Sequence, residues 1–88
     1  MLRISIIHSA DKGIQFQLEG RLIGSWVEEL RRLSDQALSQ QKTVSLDLQK
    51  FWFVDLQGVD LLRYLAKKQV TQINCSPFVS QQLKEAAL

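Results

Sequence analysis

The sequence predicts an α/β fold: a small mixed β-sheet, an N-terminal hairpin followed by βαβα units, with helices mainly on one face. Three observations predict it. Two alternating apolar–polar runs flank a turn signal near the N-terminus. The later strand-like runs are separated by segments whose apolar residues recur at helical spacing. Strands joined through helices pair in parallel by crossover connections.

Leu2 to His8 alternates, with Leu2, Ile4 and Ile6 on one side and Arg3 and Ser5 on the other; Ile7 breaks the pattern. Asp11-Lys12-Gly13 supplies the turn. Ile14, Phe16 and Leu18 then alternate with Gln15, Gln17 and Glu19, so one side of this strand faces water. Gly24-Ser25 opens a helix, and Ser25 with Glu28 has capping-box spacing. Trp26, Val27, Leu30, Leu33, Ala37 and Leu38 form its apolar stripe, which fades near Gln40-Gln41.

Thr43 to Leu48 alternates again, with Val44, Leu46 and Leu48 inward. The apolar run Phe51-Trp52-Phe53-Val54 follows, with Phe51 and Phe53 assigned inward beside Phe16. Asp55-Leu56-Gln57-Gly58 is a turn into the next helix, 59–68, which Asp55 caps. Val59, Leu62, Leu65 and Ala66 face inward. Val70 to Ile73 is a short strand. Ser76-Pro77 starts a last helix, with Ser76 as cap and Pro77 at its first position. Phe78, Val79, Leu83, Ala86 and Ala87 form its apolar side.

The 88 residues suit one domain, 1–88, which buries about 60–65% of its unfolded surface. The composition, 45% hydrophobic and 23% charged, is that of an ordinary globular chain. A single cysteine, Cys75, forms no intrachain disulfide, which points to a reducing, cytoplasmic setting. No apolar run approaches the roughly 20 residues that span a bilayer, and the N-terminus does not follow a signal-peptide pattern. No direct membrane insertion is therefore expected. The net charge of +2 carries no clustered basic face, so nucleic acid is not an expected partner.

Little in the sequence supports catalysis, and the expectation is a protein that is not an enzyme. His8 is the only histidine and reads as an edge residue. Cys75 precedes a helix start, a setting that can activate a thiol, but it has no second cysteine and no nearby histidine in sequence. No spacing suits zinc, no glycine-rich phosphate loop is present, and no cofactor is expected. Asp47 reads as solvated. Alternation sets Trp52 opposite Phe51 and Phe53, where it is either an exposed interface anchor or covered by a second helix. The sequence leaves both open.

Four segments together resemble the STAS family, the sulphate-transporter and anti-sigma-factor-antagonist domains. They are Leu18-Glu19-Gly20 followed by Arg21-Leu22; Val44-Ser45-Leu46-Asp47-Leu48; Phe53 to Gly58; and Ile73 to Val79. Their order spans nearly the whole chain. The resemblance implies a non-catalytic regulatory module that binds a protein partner. In anti-sigma-factor antagonists the turn reads Asp-Ser-Ser/Thr-Gly, and the first Ser takes a phosphate that breaks partner binding. Here Asp55 and Gly58 keep their places, while Leu56 fills the phospho-acceptor position and Gln57 the next. Neither carries a hydroxyl, so the switch cannot run at this site. The chain is also short for the family, with the missing length placed between the second helix and the last strand.

The expected binding surface is the turn of Asp55, Leu56, Gln57 and Gly58 with the adjoining helix, including Arg63, and with Trp52 beside it. Leu56 either extends this surface as an apolar contact or folds back into the core. The partner implied is an anti-sigma-factor or kinase-like regulator. An alternative is a soluble accessory role in an ABC-type lipid or anion transport system, with a transporter subunit as partner. A second is a nucleotide- or small-anion-binding sensor, because amides at a helix start hold anions. Sheet edges and an apolar loop leave a homodimer open.

Overall fold

A computed structural model describes residues 2–10 and 12–86, the side chain of Ala86 excepted. The order is β1 (Leu2–Ala10), β2 (Gly13–Leu22), α1 (Ser25–Ser39), β3 (Thr43–Val54), α2 (Leu56–Lys67), β4 (Thr71–Ile73) and α3 (Pro77–Ala86). Asp11 of the expected turn and Ala87 of the expected apolar side lie outside the described residues.

The sheet runs β1-β2-β3-β4. β1 and β2 are antiparallel, with Ala10 opposite Gly13, and β3 is parallel to both β2 and β4. The expected mixed sheet is therefore present. Its inward residues, including Phe16, Leu18, Val44, Leu46 and Leu48, share one core with Val27 and Leu30 of α1, Leu61 and Leu65 of α2, and Val79 of α3.

Bulges set which residues point inward. Ile7, the exception to alternation, sits where the β1–β2 register jumps from Ile6 to His8. β3 uses 12 residues where β2 uses 10, with register shifts between Gln17 and Glu19 and between Gly20 and Arg21. Gly20 pairs with Phe51 and Arg21 with Phe53, so Trp52 is the extra residue. The inward series therefore runs Val44, Leu46, Leu48, Phe51, Val54. This corrects the assignment of Phe53, which is half-buried, because the bulge hands its inward place to Val54.

Other expectations shift as well. The Ser25–Glu28 capping box does not form: Gly24 is the N-cap of α1, with φ +58°, and no side chain caps it. Asp47 is buried at 7% exposure, accepting hydrogen bonds from the Gln49 backbone N–H (3.0 Å) and Asn74 Nδ2 (3.1 Å). The chain leaving β4 closes over it, which sequence spacing does not reveal. Ala66 is exposed, and Leu61 is buried in α2. Phe78 is 60% exposed in the first turn of α3, where Val79 takes the core position. The Ser76 cap forms as expected, accepting from the Val79 N–H at 3.2 Å.

Two stability predictions follow from this packing. Phe51→Ala should cost about 3–5 kcal/mol, as a buried aromatic leaving a cavity, and Phe53→Ala clearly less; urea unfolding of the two proteins compares them. Ser34 is fully buried in α1 and its hydroxyl has no partner. Ser34→Ala removes an unsatisfied group and improves helix propensity, so it should raise stability by about 1 kcal/mol in the same assay.

Candidate functional site

Parallel pairing of β2 and β3 sets Leu22 beside Val54, so both strands end at the same corner. Asp55 follows Val54 in extended conformation and is the N-cap of α2. Its two carboxylate oxygens do different work. Oδ1 accepts from the Gly58 N–H at 2.8 Å and satisfies an open amide of the helix start. Oδ2 accepts from the Gly24 N–H at 3.1 Å and holds the start of α1. The backbone adds a third tie, Asp55 N–H to Leu22 O at 3.1 Å. Capture of the Gly24 amide by Asp55 places the N-cap of α1 at Gly24, leaving Ser25 inside the helix.

Gly58 is required by packing. A Cβ there would lie 2.5 Å from Val54 Cγ2 and 2.9 Å from Leu22 O, both closer than atoms can approach. Asp55 and Gly58 thus join the helix start to the sheet. The two residues between them do not. Leu56 is 71% exposed, which settles its two possible positions in favour of solvent, and Gln57 is exposed as well. The expected turn is in fact the cap and first turn of α2, which begins at Leu56 instead of Val59.

Beside this helix start is an open groove of about 330 Å³, lined by Leu56, Val59, Gln82 and Glu85 among others. Gln82 Nε2 donates to Val54 O at 3.2 Å and anchors α3 to the same corner. Arg63 lies two turns along α2 from Leu56 and is exposed; with Asp60 and Lys67 the pair forms an outward stripe at helical spacing. Trp52 is 56% exposed, but it lines a different groove, with Arg3, Glu19, Gly20 and Lys50. The structure therefore groups Asp55, Leu56, Gln57 and Gly58 at one corner with Arg63 farther along the helix, and places Trp52 on the strand-lined surface. Sequence reasoning missed Gly24 and Gln82 as supports of the corner; neither lies in the segment that carries the motif.

No protein-family model matches the chain, and no curated protein matches it significantly. Among solved structures, it superposes on the anti-sigma factor antagonist SpoIIAA in its unphosphorylated form. The TM-score is 0.74 at 23% identity, over 98% of this chain and 82% of that one. The chain has that antagonist's fold. The STAS resemblance of the sequence is thus borne out at the level of architecture, and the structural neighbour is a regulatory antagonist. No helix among the described residues is long and apolar enough to cross a membrane.

The double role of Asp55 is testable by stability. Asp55→Ala should cost about 1–2 kcal/mol through loss of the cap. Asp55→Asn keeps a good cap but turns an amide N–H₂ toward Gly24, so it should fall between wild type and alanine. Gly58→Ala should cost about 1–3 kcal/mol by overpacking. Thermal unfolding of the three variants gives the order.

Proposed function

We propose that the chain is a non-catalytic interaction module that binds a regulatory protein through the start of α2. Leu56, Gln57 and Arg63 form the contact surface, and Asp55 and Gly58 hold it in shape. The single observation that carries this reading is Leu56: a large apolar side chain held in solvent on a rigid helix start, where anti-sigma-factor antagonists present a phosphorylatable Ser. An exposed leucine costs the free protein solubility and contributes no core, but it gains buried area when a partner covers it. Binding is then constitutive or set by the partner, since phosphate has no hydroxyl to join at this position. The anion-sensor alternative is less favoured, because the Asp55 carboxylate already occupies the Gly58 amide.

The experiment is capture of partners from the source organism's lysate with the wild-type chain and with Leu56→Glu as baits. A specific partner held by wild type should fall by at least about tenfold with the variant, as for loss of an interface anchor. Equal recovery on both baits would overturn the reading. Leu56→Ser should fold normally and restore a phosphate acceptor for a cognate serine kinase; phosphate found on a serine of the wild-type chain, such as Ser25 beside Gly24 at the same corner, with loss of the captured partner, would overturn the unswitched reading.

A further inference from the structure

The face of the sheet turned away from the helices carries a second, differently built surface. Arg3 on β1 pairs in register with Glu19 on β2, and Glu19 with Lys50 on β3, so three charged residues lie side by side across three strands. Glu19 is ion-paired with Lys50 at 3.6 Å. Among the described residues no carboxylate lies within ion-pair distance of Arg3 or of Arg21. Next to this row the sheet steps: Gly20, with φ +103°, has no side chain, and the β3 bulge pushes Trp52 outward. Arg21 stacks on the Trp52 ring with its guanidinium carbon 5.0 Å from the centroid. The result is a groove of about 360 Å³ lined by strand residues alone: Arg3, Glu19, Gly20, Lys50 and Trp52.

We propose that this groove docks an acidic segment of a partner protein, with a carboxylate between Arg3 and Lys50 and an adjacent apolar or aromatic side chain against Trp52. The charge balance selects the ligand. Arg3, Arg21 and Lys50 against Glu19 leave a surplus of two positive charges, which one or two carboxylates neutralise. That surplus is small for a nucleic-acid backbone, whose affinity grows with the number of phosphates neutralised. Trp52 supplies the apolar area that exposed charges alone do not, since exposed ion pairs contribute little. Glu19 acts as an internal competitor: it holds Lys50 until the incoming carboxylate displaces it. This surface is separate from the α2 corner and does not depend on it, so the chain would hold two partner segments at once.

The test is fluorescence anisotropy of the full chain with labelled twelve-residue peptides. One set carries Asp or Glu beside Leu, Phe or Trp; a matched set has Asn or Gln in place of the acids; a twelve-nucleotide oligo-dT is included. Acidic peptides should bind more tightly than their neutral counterparts. Binding should fall about tenfold in Trp52→Ala and in the double charge reversal Arg3→Glu with Lys50→Glu. It should rise in Glu19→Gln and stay unchanged in Leu56→Glu, which separates this surface from the α2 corner. All substituted side chains are at least partly exposed, and circular dichroism checks that each variant folds. The proposal is overturned if no acidic peptide binds better than its neutral match, if folded Trp52→Ala binds as wild type does, or if the oligonucleotide binds more tightly than every peptide.

Discussion

The corner of the molecule depends on one carboxylate. Asp55 accepts one amide from its own helix and one from the start of α1, while its backbone N–H donates to β2. Those bonds require β2 and β3 to run parallel with Leu22 beside Val54, because only then do Gly24 and Asp55 meet. An antiparallel pairing would send the two strand ends to opposite ends of the sheet. The carboxylate and the sheet topology therefore support each other, and Gly58 lets the helix close against both strands.

This arrangement divides the motif by role. Asp55 and Gly58 face the scaffold and are tied into it; Leu56 and Gln57 face solvent and contribute nothing visible to the fold. A scaffold of this kind holds its two outward positions in a fixed place whatever side chains occupy them. Neither side chain takes part in the cap, the close approach or the sheet. The chain shares its fold with an anti-sigma factor antagonist to which it is 23% identical.

Much of the architecture was legible because it rests on local patterns. Clean alternation in Ile14–Leu18 and Val44–Leu48, the stripe Val27–Leu30–Ala37, and the Ser76 and Asp55 caps all appear where their spacing places them. The errors came where distant residues intervene. Asp47 looks solvated until Asn74 closes over it. Ser25 looks like a cap until Asp55 takes the Gly24 amide. Phe53 looks inward until a bulge, visible only in the pairing with β2, shifts the phase of β3.

By itself the sequence determined the elements, their order, most of the apolar faces that make the core, and that Leu56 and Gln57 carry no hydroxyl. These follow from side-chain periodicity and chemical identity, which are properties of short stretches of chain. Only the tertiary structure decided that Leu56 stands in solvent, that Trp52 belongs to a groove of strands, and that one carboxylate joins two helices. Each of these rests on contacts between residues far apart in the chain, and the register of the sheet, with its two bulges in β3, brings those residues together.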